Sequence, residues 1–133
     1  MQIRYPPGPL EGESRLEWER RALNPWRMEE KARLWTERGS LCERCEIRLA
    51  TDLDEGIIPR CDMRGFSLVQ RQIAFASCNL FLLCAQCNRE EAHQREWAIV
   101  TSAQRYGAEA VLEWYASLEL KAPRRDLAKL VKF

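Results

Sequence analysis

Four cysteines in this chain are spaced to hold a metal ion. "LCERCE" supplies Cys42 and Cys45, and "LLCAQCN" supplies Cys84 and Cys87 after 38 intervening residues. A C-x-x-C turn directs both sulfurs toward one ion, and two such turns complete the tetrahedral thiolate shell that Zn²⁺ favours, with Zn–S bonds of ~2.3 Å. An iron–sulfur site or paired redox thiols would use the same residues, so the reading is structural zinc first and those two after it. Four thiolates leave no open coordination position. The ion is therefore expected to hold the fold together, contributing on the order of 10 kcal/mol, and not to catalyse. Cys61 and Cys78 stand outside the quartet and read as free thiols, able to oxidise together only where the fold brings them close.

A chain of 133 residues can bury one modest core. Its charge is nearly balanced, 21 Lys and Arg against 20 Asp and Glu, so net charge names no polyanionic partner and any nucleic-acid surface must be local. No apolar run reaches the roughly 18 residues of a membrane span, and "MQIRYPPGPLEG" lacks the apolar stretch of a signal peptide. The expectation is a cytoplasmic protein (host cytoplasm if viral) with no membrane partner, a compartment where cysteines are metal ligands or free thiols more often than disulfides.

The elements that would position the cysteines can be read along the chain. "YPPGP" predicts an extended arm over residues 1–11, apart from the core. Residues 12–39 predict two helices, "GESRLEWERRAL" and "PWRMEEKARLWTER". Asn24 caps the second, Pro25 occupies its first helical position and Gly39 ends it. Trp26, Met28, Ala32 and Trp35 are its expected packing residues rather than a ligand platform. Residues 40–106 carry the cysteines, apolar strands "GIIP" and "NLFLL", and one long helix from Asn88 with Trp97, Val100 and Tyr106 on one side. Between Cys61 and Cys78, "SLVQRQIAF" predicts a short helix capped by Ser67. Residues 107–133 predict a helix "AEAVLEWYASLEL" and, past Pro123, an amphipathic turn or two. There Lys121, Arg124, Arg125, Lys129 and Lys132 face a lone Asp126, as a solvated face or as phosphate contacts. The fold class is α+β: a zinc-bound ββα core flanked by N- and C-terminal helices.

The order C-x-x-C, "EGIIPR", a loop, then "NLFLLCAQCNRE", over residues 41 to about 93, resembles the zinc-stabilised HNH endonucleases of the His-Me finger group, of phage or mobile-element type. "RYGAEAVLEW" is similar to the tails of some phage recombination proteins. The resemblance implies a ββα finger around one divalent cation, Mg²⁺ or Mn²⁺, that stabilises charge developing on phosphate during hydrolysis. It places Glu55 at the first-strand metal position, Asn79 at the loop asparagine and Asn88 at the helix-start ligand. Gly56 falls where the family carries its general-base histidine. Glycine cannot accept a proton, and losing a general base forfeits about 10²- to 10⁴-fold in rate. By strand alternation Asp54 shares a face with Gly56 while Glu55 points the other way; a carboxylate at Asp54 could bind metal with Asn88 but is a weak base. His93, the single histidine, lies five residues beyond Asn88. That is about 500° around a helix, so the two side chains diverge by roughly 140° and suit one shared ion poorly. His93 reads as a surface or packing residue first, and as a phosphate contact or substitute catalytic group second.

Three functions follow as expectations. One is an HNH-like zinc protein that binds nucleic acid, DNA before RNA, with nuclease chemistry lost or much reduced. Its basic residues would be Arg60, Arg64, Arg71, Arg89 and Arg95 near the groove and Arg124 and Arg125 beyond it. A second is an active metal-dependent endonuclease using Glu55 or Asp54 with Asn88 and an unconventional base. A third is a viral adaptor or inhibitor that binds a protein partner through the finger, a reading to which five Trp residues lend support.

Overall fold

In a computed structural model that describes residues 1–90, 94–121, 123, 127 and 129, the first ten residues run extended but do not stand apart. Arg4 and Ser77 are joined twice: the Arg4 amide donates to Ser77 Oγ at 2.8 Å and the Ser77 amide to the Arg4 carbonyl at 2.8 Å. Prolines offer carbonyls and no amide. Here Gln72 Nε2 donates to Pro6 O and Trp18 Nε1 to Pro7 O, each at 2.9 Å. The expected free arm is thus pinned across the molecule.

Helix α1, Arg15–Trp18, opens on a capping box between Ser14 and Glu17. The expected break at Asn24-Pro25 does not occur. A π-helical turn, Glu19–Leu23, leads straight into α2, Asn24–Arg38, and the Asn24 amide reaches back to the Glu19 carbonyl instead of its side chain capping the helix. This wide turn opens the carbonyl ladder ahead of Pro25, whose ring would otherwise press on the carbonyl four residues back. It also shifts the helix phase. The inward line of α2 is Trp26, Glu30, Leu34 and Arg38, while Met28 is 75 % exposed and Trp35 38 % exposed, against the expected packing face.

Strands β1, Asp52–Glu55, and β2, Leu80–Leu83, pair antiparallel with Asp52 opposite Leu83 and Glu55 opposite Leu80. The first strand therefore lies ahead of "GIIP", which forms the bend after it. One sheet face, Leu53, Leu80 and Leu82, packs with Ala50 against Trp26 and Leu34 of α2; Phe81 and Leu83 face the main core with Ala98, Ile99 and Trp114. A two-stranded sheet has two open edges. Side chains of α2 cap both: Arg27 donates to Leu53 O at 3.0 Å, Lys31 to Thr51 O at 2.7 Å and Arg38 to Leu80 O at 2.6 Å.

The connector holds α3, Leu68–Ala74, started by the expected Ser67 cap in a box with Gln70. The single long helix expected from Asn88 is instead two: α4, Ala85–Arg89, ends at Glu90, which leaves the helical conformation, and α5 runs Gln94–Tyr106. Gly107, at φ 94°, turns the chain into α6, Ala108–Ala116. The buried side of this pair is Ala98, Ile99, Ser102, Ala103, Tyr106, Val111 and Trp114, with Trp97 half-buried against Phe81 at 5.3 Å between ring centroids. His93, Arg124, Arg125, Asp126 and Lys132 lie outside the described residues. No helix among the described residues is long and apolar enough to cross a membrane.

Candidate metal centre and the strand beside it

The first cysteine pair sits in a tight loop closed by a bridge between Leu41 and Leu49 and by the Cys42 amide on the Arg48 carbonyl at 2.7 Å. Glu46 adopts φ 56°, which lets its amide return to the Cys42 carbonyl at 2.9 Å. The second pair is the junction of β2 and α4, where Cys84 is the N-cap and its sulfur accepts the Cys87 amide at 3.4 Å. The four sulfurs lie within 4.8 Å of one another, with Cys45 and Cys84 at 4.0 Å. A tetrahedral shell with ~2.3 Å bonds needs sulfurs roughly 3.8 Å apart, so the quartet is close enough to bind a metal ion, and its all-sulfur donor set is the one zinc favours.

The electrostatics fit that role. Amides of Arg48 and Ile47 hold the Cys45 thiol below its ordinary value. Burial pushes against ionisation at Cys84, yet Arg48, whose Nε lies 3.3 Å from the sulfur, brings the thiol down to about 6 with help from the Cys87 amide. Burial and the neighbouring sulfurs push Cys87 up to about 12. Four thiolates repel one another, and a divalent cation in their midst is what allows all four to ionise together. Outside the quartet, Cys61 is exposed and Cys78 buried; both are free, and burial drives the Cys78 thiol well above its usual range.

Glu43, between the first two cysteines, anchors this loop, and nothing in its sequence context marked it. Its backbone amide and carboxylate take the Leu82 carbonyl and amide at the outer edge of β2. The same carboxylate meets Arg38 at 3.1 Å and Arg105 at 2.7 Å, and Arg38 continues to Tyr106 Oη at 2.9 Å and Ser77 O at 3.3 Å. The Arg38 and Glu43 side chains are only 3 % and 6 % exposed. The metal-type loop is thereby tied to α2, β2 and α5.

The strand beside it is arranged differently. Glu55, 5 % exposed, receives Arg27 at 3.0 Å and Arg60 at 3.1 Å, both on the same carboxylate oxygen. Both guanidiniums lie over the Phe75 ring, at 6.0 and 5.2 Å. Asn88, expected to share a cation with Glu55, instead donates to Asp52 at 2.9 Å. Asp52 and Glu55 have opposite parity on β1 and so leave opposite faces of the sheet, Glu55 toward α2 and Asp52 toward α4. Asp54 lies within electrostatic reach of Arg27. Among the described residues the cysteine quartet is the one group of three or more metal-type side chains gathered together.

Gly56 has no room for a side chain. A Cβ there would sit 2.7 Å from the Phe81 ring and 2.9 Å from Ala98 Cβ. Asn79 is fully engaged: Oδ1 accepts the Ile57 and Ile58 amides at 2.7 and 2.9 Å, and Nδ2 donates to Ala74 O and Ile58 O at 2.8 and 3.0 Å. This clamp shapes the bend after β1.

Of the expected basic residues, Arg60 shares Glu55 with Arg27, which sequence reasoning missed, and Arg71 lies within electrostatic reach of Arg60 and of Arg15. Burial and the nearby positive charges of Arg15 and Arg60 disfavour the charged form of Arg71, against the help of Glu19. Burial likewise weakens that of Arg27, which Glu55 supports and Arg60 opposes. Arg64 is exposed, Arg95 pairs with Asp62 at 2.7 Å, and Arg89 bonds its own helix at Ala85 O. Compared with protein-family models, with curated proteins and with solved structures, the chain matches none.

Proposed function

We propose that this chain is a zinc-stabilised, HNH-type finger that binds nucleic acid, DNA in the first instance, with hydrolysis lost or much reduced. The observation that carries the reading is the pairing of Glu55 with Arg27 and Arg60 next to a Gly56 packed shut by Phe81 and Ala98. The ββα order supports the finger: β1, the Asn79 clamp, β2 and α4, with one cysteine pair ahead of β1 and the other closing β2. Where the resemblance asks for a cation and a base, this chain has guanidiniums and a ring, a chemistry that holds phosphate rather than splitting it. Binding of this type falls steeply with salt and reads little sequence.

The test combines duplex DNA binding across a salt series with nicking of supercoiled DNA in Mg²⁺ and Mn²⁺. Salt-sensitive binding without nicking is the expected result. Cleavage that disappears in Asn88→Ala would replace this reading with the active endonuclease. A second reading has its own observation: Leu41, Ile47 and Leu49 on the cysteine loop are 45, 77 and 60 % exposed, an apolar tip of the kind a protein partner covers. One stable protein partner with no DNA binding at low salt would favour the adaptor.

A further inference from the structure

We infer that Arg60 is a phosphodiester-binding arginine set against a wall formed by Arg27, with Glu55 as its resident counter-ion, released from Arg60 when nucleic acid docks. The inference deepens the nucleic-acid reading and rests on it. Both guanidiniums converge on one carboxylate oxygen, at 3.0 and 3.1 Å, and both are backed by the same Phe75 ring. A phosphodiester spreads one negative charge over two non-bridging oxygens and suits the planar donor fork of arginine, so it can take the place of the carboxylate as partner of Arg60.

The two arginines are unequal in a way that makes exchange possible. Arg27 is 19 % exposed and also holds Leu53 O at 3.0 Å, so it belongs to the wall. Arg60 is 51 % exposed and stands on the 3₁₀ turn Arg60–Met63 just past the strand. If Arg60 swings outward, Glu55 keeps Arg27, so no buried charge is orphaned, which is the costly outcome in such clusters. Arg71 lies within electrostatic reach of Arg60, so an arriving anion also relieves repulsion between like charges. The same glutamate read as a metal ligand predicts the opposite: its loss would weaken DNA engagement in the presence of Mg²⁺.

The experiment measures short-duplex DNA affinity by fluorescence anisotropy, from about 50 to 200 mM salt, for the wild type, Glu55→Gln, Arg60→Gln and the double variant, each with zinc content and melting temperature recorded. Glu55→Gln frees Arg60 and should bind about 3- to 10-fold tighter, with a log–log salt slope steeper by about 0.9. Arg60→Gln should weaken binding by a similar factor, and the double variant should lose the gain. Equal or weaker binding by folded, zinc-loaded Glu55→Gln overturns the counter-ion role. Should Glu55→Gln not fold, Arg60→Gln decides, because this half-exposed residue can be lost without unfolding; unchanged affinity and slope overturn the site. A wild type that binds no duplex at the lowest salt sinks the nucleic-acid reading and this inference with it, whereas a wild type that binds normally beside an indifferent Glu55→Gln sinks only the inference.

Discussion

The cysteine quartet and the end of β1 lie toward opposite ends of the same short sheet, and only one of them gathers its donors. At the quartet, two tight loops bring four sulfurs within 4.8 Å of one another. At the strand, Glu55, Asn79 and Asn88 are each spoken for by different partners: two arginines, four backbone groups and Asp52. Residue types in the right order are enough to suggest a site. Convergence on one point is what makes one, and here that convergence belongs to the sulfurs.

The largest effect should come from disturbing the quartet and any metal ion bound there. Chelation of the metal, or Cys84→Ser, should remove on the order of 10 kcal/mol and with it the cooperative fold, read as loss of helical circular dichroism and of dispersed amide resonances. The smaller core of a 133-residue chain cannot replace it. A chelated protein that kept its melting transition would place the quartet on a level with the strand, as residues that happen to be near one another.

Next in size is the ionic anchor between the two regions. Arg38→Ala should destabilise the metal-loaded protein by about 3 to 5 kcal/mol in urea, because it strips a buried partner from Glu43 and leaves the Leu80 and Ser77 carbonyls short of a donor. A loss below about 1 kcal/mol would mean that Arg105 and water carry Glu43 alone.

Gly56→His sharpens the comparison at the strand. It restores the residue type that the resemblance asks for, yet its Cβ would meet the Phe81 ring and Ala98 on α5. The variant should lose roughly 1 to 3 kcal/mol and gain no nicking of supercoiled DNA. Cleavage at unchanged stability would mean that α5 can step aside and that the strand is a disarmed site waiting for one residue.

How much of this was legible from sequence differs between the same two regions. The cysteines and the Ser67 cap are local signals, complete within three or four residues, and both stand where expected. Glu55's partners come from 28 residues before it and five after it, and no short-range pattern links Arg27 to Glu55. The buried face of α2 was hidden for two reasons. The π turn shifts the helix phase ahead of Pro25, and two of the four inward positions are the charged Glu30 and Arg38, which a hydrophobic period cannot detect. Glu30 is buried because Arg4 on the arm reaches it at 3.0 Å, a contact across 26 residues. That same contact is why the arm, legible as extended, was not legible as docked.

The smallest effect expected concerns a single charge beside the sulfurs. Arg48 donates to Cys84 and brings its thiol down to about 6, so the stability that this thiolate contributes is complete above the ordinary thiol value of 9.0 and is lost as pH falls through about 6. In Arg48→Ala the guanidinium is gone while the peptide amides that lower Cys45 remain, so Cys84, its principal partner, becomes the thiol that is easiest to return to the protonated form. Acid should then release a metal ion loaded on the quartet at a higher pH than in the wild type, with the fold unchanged at neutral pH, as followed with a chromogenic chelator during stepwise acidification. The sign separates two roles for Arg48. A guanidinium that merely closes the loop would lower metal affinity equally at every pH, whereas one that holds a thiolate must move the release curve along the pH axis.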